Sequence, residues 1–268
     1  MTTIPETLFN DAKTLLRGVE AQYGVRILYA AEAGSRSWGF ASTNADVDVR
    51  FIYVRPVKHY LRLTQPEETI VHEADAMWDI KGWDLRHVLT TLRDGDTTLV
   101  QWLYSPIVYR NHPLFLSEMR KLLDKAHPLS RLYWSYRSTA HAHAVMLRNE
   151  TEVSVKRFIY IVQAVLAFTW VERKATIPPM RFDELVKGLI TDEALLTEID
   201  TLIQIKRNSV EDAMADKRVF NHTVAFIEEA FTTTRPPEVD FQRLEEDTLD
   251  QFFLQWIGYQ TSTLLSAT

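Results

Sequence analysis

The segment Gly34-Ser35-Arg36-Ser37-Trp38-Gly39, followed by Asp46-Val47-Asp48, holds the residues best suited to chemistry in this chain. A small-residue turn with free backbone N–H groups can cradle phosphate oxygens. Two carboxylates at i and i+2 of a strand project from one face, because strand side chains alternate. Like charges so placed repel each other, and a stable fold normally avoids the pair unless a cation sits between them. Mg²⁺ suits such a seat, since it prefers oxygen ligands and commonly takes one or two carboxylates plus substrate phosphates. The pattern points to a site for a metal-bound nucleoside triphosphate. A third carboxylate from a neighbouring strand would complete the shell of a second ion and help draw the proton from an attacking hydroxyl. Asp79, within Met77-Trp78-Asp79-Ile80, fits that role. A charge among apolar, strand-like neighbours is costly unless something pairs with it. Asp75 and Asp84 are weaker candidates, because a loop position and a helix cap explain them without chemistry.

These residues need a strand, a turn and a second strand to hold them. Val25 to Ala31 is rich in apolar and β-favouring types and reads as the first strand, leading into the Gly34 turn. From Asp46 to Val54 the pattern alternates. Asp46, Asp48 and Arg50 share one face, and Val47, Val49, Phe51 and Tyr53 the other. A third strand is expected near Ala76–Ile80, broken by Gly82. Upstream, Pro5 opens a helical pattern that Gly24 stops. Downstream, Asp84 is placed to cap a helix over about 85–93, and a second short helix reaches Tyr104. Beyond Pro106 strand signals nearly disappear. Helices are expected at roughly 112–126, 129–148, 152–173, 181–189, 191–207, 210–231 and 239–265. The fold class expected is α+β: a small mixed-sheet domain over 1–108, then an α-helical domain over 109–268.

Composition narrows the function classes. The 268 residues are 46% hydrophobic and 25% charged, an ordinary globular profile. With 30 basic against 36 acidic residues the net charge is −6. That argues against nucleic-acid binding by bulk charge, so any such contact would use a local patch. Absence of cysteine excludes disulfides, zinc thiolate sites and Cys nucleophiles. The apolar run Phe158–Val171 is too short to span a bilayer and reads as a buried helix. The first residues lack the pattern of a signal peptide. A cytoplasmic protein with no membrane partner is expected.

The conjunction of Gly-Ser, spacer and Asp-x-Asp resembles the nucleotidyltransferase superfamily of the DNA polymerase β type. Further segments, DIKGWDLRHVL, LVQWLYSPIVY and VKRFIYIVQAVLAFTWVE, are similar to the predicted nucleotidyltransferase family found beside RNA ligases in RNA-repair contexts. The likeness covers most of residues 30–110 and 150–185. It implies a palm-like nucleotidyltransferase domain that moves a nucleoside monophosphate from an NTP such as ATP to a hydroxyl, releasing pyrophosphate. It also implies two Mg²⁺ ions, with Mn²⁺ as a substitute. By resemblance, Gly34 and Ser35 bind the β- and γ-phosphates, Asp46 and Asp48 ligate the metals, and Asp79 is the third acid. The acceptor is an RNA or tRNA end, a protein hydroxyl or a small molecule, with an RNA end favoured.

Secondary candidates follow from position. Arg36 directly follows the Gly-Ser turn and could neutralise triphosphate charge. Arg50 reads as an ion pair for Asp48. Lys156 and Tyr160, four apart on a helix, share a face and could reach the nucleotide. Arg137, His141 and Arg148 could line an acceptor groove. The pair His141 and His143 is poorly placed to chelate, since i and i+2 diverge on a helix. A non-catalytic nucleotide-binding regulator, such as an antitoxin-like or RNA-repair partner protein, is the alternative. A glycoside hydrolase fits poorly, because its carboxylates must flank a substrate.

Overall fold

The structure, a computed structural model, describes residues 4–42, 45–208 and 213–258, the side chains of 146–149 excepted. Helix α1 (Glu6–Tyr23) ends at Gly24, whose φ of 61° is the left-handed value that closes a helix without strain in glycine. Strand β1 (Arg26–Glu32) leads into the one-turn helix α2 (Gly34–Trp38). Strand β2 (Val47–Val54) returns antiparallel to β1, and α3 (Val57–Tyr60) follows. Then come strands β3 (Thr69–Glu73) and β4 (Trp78–Asp84), and helices α4 (Leu85–Asp94) and α5 (Thr98–Leu103). Strand β5 (Val108–Asn111) completes a mixed sheet of order β3-β4-β2-β1-β5, in which only β2 and β4 run parallel. The fold class is therefore α+β. Strand β5 crosses the position expected to divide the chain, after the Pro106 that conceals it in the sequence.

The sheet has a core on each face. Val47, Val49, Phe51 and Tyr53 pack beneath α1 on Ala12, Leu16 and Val19, as their alternation predicts. Ile52 and Val54 face the larger core, which the helices after β5 share with the sheet. Those helices are α6 (Phe115–Lys125), α7 (Leu129–Asn149), α8 (Val155–Lys174), α9 (Phe182–Leu189), α10 (Glu193–Asn208), α11 (Asn221–Thr233) and α12 (Glu246–Ile257). Most of α8 is buried, which accounts for its apolar run. Among the described residues no helix is long and apolar enough to cross a membrane. The helix expected over 210–231 begins only at Asn221. Residues Met214–Asp216 form a strand with Glu152–Ser154, and the Asp216 carboxylate then caps a short 3-10 turn through the Arg218 N–H. Positions 210–212 and 259–265 of the expected helices lie outside the described residues.

Gly82 does not break the third strand but lies within β4, opposite Phe51 of β2. A Cβ at this position would run into the Phe51 ring, so glycine is there to admit the ring. Gly82→Ala is expected to cost about 2 kcal/mol by overpacking. Thermal denaturation should show a midpoint lowered by roughly 5 °C.

Candidate active site

Parallel pairing of β2 and β4 sets Asp48 directly opposite Asp79 and Arg50 directly opposite Lys81. The four side chains form a charged square on one sheet face. Arg50 Nη2 lies 3.0 Å from Asp48 Oδ1 and 2.8 Å from Asp79 Oδ2, and Lys81 Nζ lies 3.0 Å from Asp79 Oδ1. Burial raises the Asp48 carboxyl above the usual carboxylate range; Arg50 opposes this, while the neighbouring Asp46 and Asp79 charges add to it. Burial also acts against ionisation of Asp79, but Lys81 and Arg50 outweigh it and hold the carboxyl below its ordinary value. A guanidinium shared between two carboxylates marks a seat for positive charge. Its carboxylate oxygens are the donors a hard divalent ion prefers. Among the described residues, however, no three Asp, Glu or His side chains already converge as an ion cage. Asp46 precedes β2 by one residue and is exposed, its charge felt by Asp48.

The Gly-Ser turn abuts this square. Gly34 has a φ of +58°, and a Cβ there would overlap the Asp48 carboxylate. The first turn of α2 carries no side-chain cap. Ser37 Oγ donates to the Gly34 carbonyl at 2.7 Å, and the Ser35 carbonyl accepts from the N–H groups of Gly39 and Phe40. Arg36 does not extend freely: Nε donates to Asp46 O at 3.1 Å, and Nη2 donates to Ala45 O. Its guanidinium braces the segment that carries the acids, a contact with backbone that residue type does not announce.

Tyr160 of α8 faces the same place. Its ring meets Trp38 edge-on at 5.1 Å, and its hydroxyl is pushed up by burial and then by the charges of Asp48 and Asp46. Lys156 is exposed one turn earlier on α8. Trp83 packs on Trp102 and His87. Asp84 caps α4 by accepting from the Arg86 N–H, and Asp75 accepts from the Met77 N–H, so local structure accounts for both. Arg137 is engaged with α11 and its aromatic neighbours. Its Nη2 donates to the Phe231 carbonyl and its guanidinium stacks among Tyr133, Phe168 and Phe231. His141 meets Phe231 edge-on, and the Arg148 side chain lies outside the description.

Glu32, at the end of β1, was not singled out in the sequence, and it is fully buried directly behind Asp48. Tyr109 of β5 donates its hydroxyl to Oε2, and the Asp48 N–H donates to Oε1 at 3.2 Å. Arg36 Nε stands 3.9 Å from Oε1. Burial pushes the Glu32 carboxyl up to about 7, against the pull of these donors. The signal was available: an acid at the end of Leu-Tyr-Ala-Ala-Glu is as costly as Asp79 among its own apolar neighbours.

Residues 10–255 match the RlaP family, described as the RNA repair pathway DNA polymerase beta family. The chain is 36% identical over 196 residues to the uncharacterized protein YcgL of Bacillus subtilis (strain 168), which covers 73% of this chain and 75% of that relative. A crystal structure of a nucleotidyltransferase-like protein from Exiguobacterium sibiricum 255-15 aligns over 83% of this chain and 75% of its own at 10% identity, with a TM-score of only 0.31. The family match spans both the sheet with its facing acids and the helices that cover it, and the chain belongs to the RNA repair pathway DNA polymerase beta family.

Proposed function

We propose that the protein is a metal-dependent nucleotidyltransferase that moves a nucleoside monophosphate from an NTP to a hydroxyl acceptor, an RNA end being favoured. The observation that carries this reading is the in-register pairing of Asp48 with Asp79 against Gly34. The Gly34–Ser35 turn and the paired carboxylates thus share one wall. In this reading Gly34 and Ser35 take the β- and γ-phosphates, with the Ser35 hydroxyl and N–H as donors. Arg36 and Lys156 add positive charge beside the triphosphate, and Tyr160 bounds the nucleotide from α8. Asp46, Asp48 and Asp79 would hold divalent ions, and such ions would supply charge neutralisation at the α-phosphate and a lowered pKa at the attacking hydroxyl. The acceptor oxygen forms the new bond to the α-phosphorus as the bond to the bridging oxygen of the β-phosphate breaks. Asp79 accepts the acceptor's proton, and pyrophosphate leaves with the electron pair. Arg50 keeps the carboxylates apart and oriented before substrate arrives.

The test is incubation with each α-labelled NTP, Mg²⁺ or Mn²⁺, and a panel of tRNA, RNA ends and protein. Label on one acceptor with matching pyrophosphate release is the expected result. Tight metal-dependent NTP binding without transfer to any acceptor would instead identify a nucleotide-binding regulator.

A further inference from the structure

We propose that Glu32 is a positioning residue. Its buried carboxylate ties the Gly34–Ser35 turn to the start of β2, and so sets the distance between the turn and Asp46 and Asp48. The purpose of this tie rests on the nucleotidyltransferase reading; its geometry does not.

Glu32 is held at every polar atom. Its N–H donates to the Ile107 carbonyl at 2.9 Å, and Ser105 Oγ donates to its carbonyl at 2.6 Å. Tyr109 fixes one carboxylate oxygen, while the other takes the Asp48 N–H and attracts Arg36. Arg36 in turn grips the carbonyls of Ala45 and Asp46. The Ala33 N–H donates to the Asp48 carbonyl at 2.8 Å, closing the ring from the other side. One carboxylate therefore joins three elements: β5 through Tyr109, β2 through Asp48, and α2 through Arg36.

A packing role alone would not call for this group. Buried ionisable networks can often be replaced by apolar side chains of similar volume without loss of stability. What an apolar residue cannot do is accept the Asp48 N–H or hold the guanidinium of Arg36 over the 45–46 carbonyls. Without that hold the arginine is free to turn to solvent, and the backbone carrying Asp46 loses its brace. Misplacement of catalytic groups by about 1 Å is enough to cost on the order of 10²-fold in rate.

Glu32→Leu separates the two roles, since leucine fills the space and accepts nothing. In the full-length protein, amide exchange over residues 45–48 is expected to rise about tenfold or more, with a smaller rise in Glu32→Gln. Exchange in α7 and α8 should stay near wild type, while the thermal midpoint falls because the Tyr109 hydroxyl and the Asp48 N–H lose their acceptor. Unchanged exchange at 45–48, or a rise spread evenly over the sheet, would overturn the proposal. If Glu32→Leu does not fold, Tyr109→Phe decides. It should raise exchange at 45–48 by about threefold and leave the helices alone, and no local rise would overturn the proposal. Binding of an unreactive NTP analogue with Mg²⁺, read by calorimetry, should weaken about tenfold in Glu32→Leu. A wild-type protein that binds no NTP would refute the nucleotidyltransferase reading, while the exchange result would still decide the role of Glu32.

Discussion

Asp48→Ala is expected to reduce nucleotidyl transfer by about 10³-fold or more while the protein stays folded. Metal-held charge stabilisation is worth several kcal/mol in such reactions, and about 4 kcal/mol corresponds to about 10³-fold. Asp48 faces both Asp79 and the Gly34 turn, so no neighbour can replace it. The fold should tolerate the loss. Arg50 keeps the Asp79 carboxylate at 2.8 Å and the Asp79 carbonyl at 2.8 Å, so its charge is not stranded. One of two mutually repelling carboxylates is also removed. The checks are label transfer at saturating NTP and a thermal midpoint within about 3 °C of wild type, equivalent to roughly 1 kcal/mol.

The second large effect falls on Gly34→Ala, the smallest change available at the site. Alanine there faces two separate penalties. The φ of +58° is a left-handed conformation that costs an L-residue about 1–2 kcal/mol. In addition, the new methyl group would occupy space now filled by the Asp48 carboxylate. The carboxylate must turn away from the turn it faces, which misplaces it relative to bound phosphates. A loss of about 10²-fold in transfer is expected, with weaker metal-dependent NTP binding. Gly39→Ala provides the contrast. It too has a positive φ, of 89°, but its Cβ would meet the Arg181 guanidinium rather than an acid. Its loss should appear mainly in stability. Equal effects on transfer from the two variants would contradict a special role for the Gly34–Asp48 contact.

The parts of the fold legible in the sequence were those governed by local pattern. Alternation from Val47 to Tyr53 marked a buried face, and an expensive lone charge marked Asp79. Gly24 and Asp84 announced a helix end and a helix start by chemistry that needs no partner far away. What escaped depended on distant neighbours. Edge strands β3 and β5 are short and follow loop signals, and they are strands because β4 and β1 pair with them. Gly82 read as a breaker because the Phe51 ring that fills its space lies 31 positions earlier. Glu32 gains its meaning from Tyr109, 77 residues away in sequence. Arg36 reads as a phosphate ligand by position, yet in the folded chain it donates to two backbone carbonyls.

A crystal structure with Mn²⁺ and an unreactive NTP analogue tests the central claim most directly, because anomalous scattering locates the ion independently of interpretation. The account predicts a peak between Asp48 and Asp79, with Asp46 turned toward it, Arg50 displaced from one carboxylate, and the terminal phosphates on Gly34 and Ser35. Manganese bound elsewhere, with Arg50 still spanning both carboxylates and the nucleotide away from the turn, would contradict it.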